Sequence, residues 1–287
     1  MAISYLNGSW QSIEEARVPV LDRGFMFGDG IYEVIPVYAG RVFTLARHLH
    51  RLNNSLAEIK LINPMTQDAW SHLIEEAVGR SGETNAFVYI QVTRGVASGR
   101  DHVYPRVTPT VLVMVYAAPI LERAVIRPYS LVTLEDFRWS RGHIKTVSLI
   151  AAGMLKNEAI SQGADDAVLM RDGLAMEATA SNIFIVKDGI IITPPKSHHL
   201  LHGITRDVVV ELARTHHLAL EERDISAAEL AAADEILITS SGHEVRPVGT
   251  LDGNTIGNGA PGLMWKTLDG LFQGFKRLQQ QQQQQQQ

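Results

Sequence analysis

Lys145 stands between two segments of different character. Before it the chain is aromatic and charged: Phe137, Arg138, Trp139, Arg141, His143. After it come Val147, Ser148, Leu149, Ile150, Ala151 and Ala152. An amine in this setting is either a solvated surface charge or a nucleophile able to form a Schiff base with a carbonyl. The choice depends on whether the chain also supplies the groups that a reactive lysine requires.

Four features bear on that question. In "LLHGITRD" (200–207), Gly203, Ile204 and Thr205 open a helix, where free N–H groups and a hydroxyl form either a phosphate seat or an ordinary cap. In "LITSSGHE", Thr239, Ser240 and Ser241 end an apolar strand, and their hydroxyls suit an anion or a turn. Arg51 lies beside Leu52 on a helical segment and is placed either to reach inward or to stay solvated. Glu177 falls in "LAMEATASNIFIV", where a carboxylate in an apolar strand needs a partner, either a cation or the nitrogen of a heterocycle. An amine, an anion seat and a carboxylate for a ring nitrogen together make the inventory of a pyridoxal phosphate site.

Other chemistries find little support. The chain lacks G-x-G-x-x-G after a strand, G-x-x-x-x-G-K-[ST], G-x-S-x-G and H-E-x-x-H. The pairs His48/His50, His198/His199 and His216/His217 diverge at helical spacing and read as surface residues, so no metal site is expected. The absence of cysteine excludes disulfides and thiolate chemistry and suits a reducing, cytoplasmic setting. A net charge of −5 argues against nucleic acid as a partner, and no apolar run approaches a membrane span.

The elements that must position these residues are legible in outline. With 45% hydrophobic residues among 287, the chain can build a substantial core. "GIYEVIPVYAGRVF" reads as two strands joined at Ala39-Gly40, and Leu45, Leu49, Leu52 and Leu56 mark a helix with Thr44 as N-cap. Thr66 and Gly82 bound a second helix, and "NAFVYIQVTRG" and "TPTVLVMVYAAP" are strands. The pattern pauses near 119–122, which sets a small N-terminal α/β domain at 1–120 and a larger C-terminal domain at 121–278. In the latter, a strand over "AVIRPYSLVTL" leads to a helix after Lys145 reaching about Gln162. Two Asp-Gly hairpins follow, at 172–173 and 188–189, then helices over "GITRDVVVELARTHHL" and "APGLMWKTLDGLFQGFKRL". The glutamine run 279–287 reads as an unstructured appendage. This mixture predicts an α+β, or mixed α/β, fold and not a doubly wound parallel sheet.

Seven segments then carry a resemblance: "RGFMFGDGIYEV" (23–34), "HLHRLNNS" (48–55), "TRGVASGRDHVYP" (93–105), "IKTVSLIAAGMLKNEAISQGADDAVLM" (144–170), "EATASNIFIV" (177–186), "LLHGITRD" (200–207) and "EILITSSGHEVRPV" (235–248). In this order they resemble the class IV pyridoxal-phosphate aminotransferases, with their two-domain fold type IV architecture. Within that class the chain is most similar to D-amino-acid aminotransferases. The resemblance implies pyridoxal 5'-phosphate as cofactor, amino acid and 2-oxo acid substrates, and a homodimer. It implies that Lys145 forms the Schiff base and shuttles a proton, and that Glu177 faces the pyridine nitrogen. Arg51, Ile204, Thr205 and Ser241, with Ser240 nearby, would hold the phosphate, and Leu201 would pack on the ring. Tyr32, Arg100 and His102 would trap the substrate carboxylate, the last two coming from the neighbouring subunit.

The R-x-H spacing of "GRDHV" separates this subgroup from branched-chain aminotransferases; otherwise those residues read as a polar loop. Pro36, Gly242-His243 and Arg246 depart from the subgroup's pattern on the substrate side. Branched-chain aminotransferase, (R)-amine transaminase and aminodeoxychorismate lyase are the enzymatic alternatives. A non-enzymatic cofactor-binding protein on the same fold is the other.

Overall fold

The computed structural model describes residues 3–119 and 121–285. It contains two compact units, one of Met1–Ile120, Ile144–Leu149 and Gln279–Gln287, the other of Leu121–His143 and Ile150–Leu278. The short segment carrying Lys145 therefore counts with the first unit, although the chain on either side of it belongs to the second.

In the first unit, β1 (Ile3–Leu6), β2 (Ser9–Ser12), α1 (Arg23–Phe27), β3 (Gly30–Tyr38), β4 (Arg41–Val42), α2 (Leu45–Glu58), α3 (Gln67–Ser81), β5 (Ala86–Thr93) and β6 (Thr110–Ala117) follow in order. The strands form one sheet in the order β2-β1-β6-β5-β3-β4, antiparallel throughout. Alternation fixes its inner face: Ile31, Ile35 and Val37 of β3, Val88, Ile90 and Val92 of β5, and Val111, Val113 and Val115 of β6 share a core with Leu49, Leu52 and Leu56 of α2 and Trp70 and Ile74 of α3. The β3–β4 turn places Ala39 and Gly40 at positive φ, as a two-residue hairpin of this hand requires.

Thr66 caps α3 through the Ala69 N–H, and Gly82 ends that helix in the left-handed region. Thr44 occupies the N-cap position of α2 but differs from expectation. Its own φ of 48° is left-handed, and its side chain makes no capping bond.

The second unit contains β7 (Tyr129–Glu135), α4 (Ile150–Ser161), β8 (Asp166–Arg171), β9 (Leu174–Ala178), β10 (Asn182–Lys187), β11 (Ile190–Thr193), α5 (Ile204–Thr215), β12 (Leu220–Glu222), α6 (Ala227–Ala231), β13 (Glu235–Ser240), β14 (Glu244–Leu251), β15 (Asn254–Thr255) and α7 (Leu263–Gln285) as far as Leu278, its residues from Gln279 on counting with the first unit. Its sheet is mixed, in the order β12-β11-β10-β13-β14-β7-β8-β9 with β15 beside β14. Both Asp-Gly turns form, with positive φ at Asp172, Gly173, Asp188 and Gly189. The core gathers Val168, Ile183, Ile185, Ile236, Ile238 and Val248.

Three expectations are corrected here. The helix after Lys145 starts only at Ile150 and ends at Ser161, with Ile150 and Met154 exposed. The strand before it starts at Tyr129, because Pro128 ends the irregular lead-in. The glutamine run continues α7 as helix as far as Gln285, since glutamine is a fair helix former and extends a helix already nucleated. Residues 286–287 lie outside the described residues.

Candidate active site

In the first unit, Lys145 lies on an extended segment beside β3. Its carbonyl accepts the Tyr32 N–H at 3.0 Å, Val147 N–H donates to Gly30 O at 3.0 Å, and Thr146 bridges to Ile31. The Lys145 N–H donates to Ser55 Oγ of α2 at 3.3 Å. The backbone of Lys145 is thus fixed by strand and helix together. Its Nζ lies 4.2 Å from the centre of the Tyr32 ring, so the structure brings these two expected site residues into contact. Tyr32 stacks at 5.8 Å on Tyr89, whose hydroxyl is pushed up to about 12 by burial and by the neighbouring Tyr32 and Tyr116.

Arg51 turns inward from α2, as its position beside Leu52 allowed. Its Nε and Nη2 donate to Glu33 Oε1 and Oε2, both at 2.8 Å. His48, one turn earlier, places Nδ1 2.9 Å from Glu33 Oε2. Glu33 is completely buried. Burial alone would raise its carboxyl, but the paired Arg51 guanidinium and the His48 bond outweigh this and hold it well below the usual range. Burial lowers His48, with Glu33 acting against it. The reading of His48 as a surface residue is therefore wrong, whereas His50 is exposed.

Arg100 and His102 lie in the exposed loop between β5 and β6. Among the described residues both meet Phe27 rather than Tyr32: the Arg100 guanidinium is 5.2 Å from the Phe27 ring centre and the His102 ring 5.6 Å.

In the second unit, Glu177 and Leu201 are brought together directly. Glu177 Oε2 accepts the Leu201 N–H at 2.9 Å and Asn182 Nδ2 at 3.3 Å, while Asn182 also donates to Leu201 O at 2.7 Å. Glu177 Oε1 accepts from Arg138 Nη1 at 2.8 Å, and Arg138 is itself held by Asp136. Burial raises the Glu177 carboxyl, and Arg138 and the Leu201 N–H act against that rise. The salt bridge expected as one of two partners for Glu177 is thus present.

Ile204 and Thr205 form the first turn of α5, both buried, with Gly203 as N-cap. First-turn N–H groups have no acceptor inside their own helix. A Cβ on Gly203 would overlap Asn182 Oδ1, so any larger residue there must displace the Asn182 amide. Ser240 ends β13 and accepts the His243 N–H at 3.1 Å, with Ser241 next in the chain. The pairing of Asn182 with Thr239 sets the start of β10, the Leu201–Gly203 turn and the Ser240–Ser241 loop at one end of the sheet. Thr239 Oγ1 is buried there with no hydrogen-bond partner among the described residues.

In the second unit, the uncapped helix start, the buried hydroxyl without a partner among the described residues and the buried carboxylate are groups that suit a phosphorylated heterocycle; in the first, the lysine amine is a group that suits a carbonyl. Residues 30–251 match the family amino-transferase class IV. The chain belongs to that family, and pyridoxal 5'-phosphate is its cofactor.

Similarity extends over nearly the whole chain. A D-alanine aminotransferase of Bacillus licheniformis is 38% identical over 267 residues, covering 93% of this chain and 94% of the relative. One of Staphylococcus epidermidis is 34% identical and covers 96% and 97% of the two chains. Among solved structures, a branched-chain amino acid aminotransferase from T.th. with pyridoxamine 5'-phosphate superimposes with a TM-score of 0.87 at 26% identity, over 94% of this chain and 92% of that one.

Sequence reasoning missed Glu33, His48 and Arg138. Glu33 had a signal, because it falls in register with Ile31, Ile35 and Val37 on the inward face of β3. Arg138 had none for its bond to Glu177, which lies 39 residues away.

Proposed function

We propose that this chain is a D-amino-acid aminotransferase, moving the amino group of a D-amino acid such as D-alanine to a 2-oxo acid such as 2-oxoglutarate. The observation that carries the chemistry is the Lys145 amine over the Tyr32 ring, on a backbone fixed by β3 and α2. The choice of a D-amino acid rests on the near full-length similarity to D-alanine aminotransferases, supported by the R-x-H spacing of Arg100 and His102.

Bound pyridoxal phosphate supplies an aldehyde that condenses with amines and a ring that accepts the electron pair of a broken Cα–H bond. Lys145 would hold the cofactor through its amine, and its Nζ would be the group that moves the substrate Cα proton. An amine tethered to one strand approaches from one side, which fixes the hand of the amino acid. Glu177 would pair with the ring nitrogen, and a positive ring there would oppose the rise that burial gives the carboxyl. Ile204 and Thr205 at the start of α5, Ser241 with Ser240, and Arg51 would hold the phosphate. Leu201 would pack against the ring. Tyr32 would meet the substrate carboxylate, together with Arg100 and His102 supplied by a second copy of the chain in a homodimer. The planar fork of an arginine suits a carboxylate.

Lys145→Ala should abolish both transamination and the borohydride-reducible imine absorbance; an imine persisting in that variant would overturn the assignment. With 2-oxoglutarate as acceptor, D-alanine should be converted and L-leucine should not. Preference for L-leucine would place the chain with the branched-chain enzymes instead.

A further inference from the structure

We propose that Asp29 is a positioning residue that presets the loop carrying Arg100 and His102 for a substrate carboxylate. The inference rests on the reading of those two residues as the carboxylate trap.

Arg100, Asp101, His102 and Val103 are exposed, so little apolar packing fixes their backbone. Polar and aromatic contacts hold them instead. Arg23 Nη1 donates to the Asp101 carbonyl, between the two trap residues. The Arg23 guanidinium lies 4.5 Å from the Phe27 ring centre, the same ring that Arg100 approaches at 5.2 Å and His102 at 5.6 Å edge-on. Further along the loop, Tyr104 covers the Arg94 guanidinium at 3.6 Å. The Val103 N–H closes the turn on Asp101 Oδ1 at 3.1 Å.

Both anchors depend on one carboxylate. Asp29 Oδ2 accepts Arg23 Nε and Arg94 Nε, each at 2.8 Å. Arg23 and Arg94 are buried, and Asp29 is the carboxylate they share. Without it, two buried cations would stand side by side, and both would swing toward water. Arg94 also donates to the Ile59 and Lys60 carbonyls, which partly restrain it, whereas Arg23 would lose its aim at Asp101. A loop ordered before binding costs less free energy to engage than one ordered by the ligand. Asp29 therefore acts on the carboxylate through Arg23, Phe27 and the loop, without touching the substrate.

The test uses the holoenzyme and its Asp29→Asn, Phe27→Leu and Arg100→Ala variants. Propionate binding is read from the cofactor absorbance, alongside KM and kcat for D-alanine. Asp29→Asn should raise the propionate Kd and the KM by about tenfold, the loss of roughly one charge-assisted hydrogen bond. Cofactor affinity and kcat should stay within about twofold, because uniform binding is what is lost. Phe27→Leu should move Kd and KM in the same direction, and it decides the matter if Asp29→Asn does not fold. If Arg100→Ala weakens propionate while the other two bind it as wild type does, the proposal falls and the trap stands. If Arg100→Ala leaves propionate binding unchanged, the trap falls and the proposal with it. Loss of cofactor and kcat together in Asp29→Asn, with Kd unmoved, would mark a structural role and overturn the proposal.

Discussion

Glu33 is a charged residue at an apolar position. Strand alternation aims it with Ile31 and Ile35 into the core of the first unit, where Arg51 takes both its oxygens and His48 adds a third bond. Breaking a buried pair by removing one partner strands the other's charge, at about 3–5 kcal/mol. Glu33→Ala should therefore lower the thermal midpoint by several degrees and weaken cofactor affinity, since Arg51 loses its aim; both can be read by calorimetry and cofactor titration.

The pH dependence follows from the two shifts. The Glu33 carboxyl is depressed in the fold, so its stabilisation is present above its ordinary value of 4.5 and lost as pH falls below it. His48 is lowered from 6.5, so the unfolded chain takes up its proton first and the fold loses stability as pH falls below 6.5. Midpoints of wild type and Glu33→Gln should stay apart above pH 4.5 and converge as pH falls from 4.5 toward about 3. A gap that does not narrow below pH 4.5 would contradict the pairing. At this scale the sequence was informative where a residue's own strand or helix set its direction, as for Arg51 and Glu177. It was silent where the partner was distant, as for Arg138.

At the scale of elements, local chemistry explains what was readable. Thr66 and Gly82 bound α3, and the Asp-Gly turns form hairpins, because caps and left-handed turns depend on a few adjacent residues. The start of α4 was misread because residues 145–147 answer to β3, more than a hundred positions away, and no local propensity reports that pairing. The Gly203 turn allows a sharp test. A methyl there overlaps the Asn182 amide, which holds both Glu177 and the Leu201 carbonyl. Gly203→Ala should cost about 1–3 kcal/mol of stability, the usual range for overpacking, and should weaken cofactor binding measurably. Unchanged cofactor affinity would separate the α5 start from the cofactor.

For the whole molecule, residues 144–149 count with the first unit although they lie more than twenty residues beyond Ile120, and no local pattern in the sequence announces that return. The first unit also exposes Val20, Phe25 and Val103, each more than two-thirds accessible. Their segments are tied together by the Asp22–Val96 bridge and by the Arg23 N–H on the Gly95 carbonyl. Exposed apolar residues on adjoining segments favour association with a second copy. Light scattering should give a dimer for the wild type, and Phe25→Asp should shift it toward monomer and raise the KM for D-alanine.

The six residues 144–149 also set a schedule. During synthesis the first 120 residues are made before residues 144–149, so the strip beside Gly30–Tyr32 waits for a segment made later. A nascent chain stopped before residue 149 would carry Arg51 but would have no lysine docked beside Tyr32. If Lys145 anchors the cofactor as proposed, a ribosome-stalled ladder of lengths should acquire imine absorbance only after that strip has emerged.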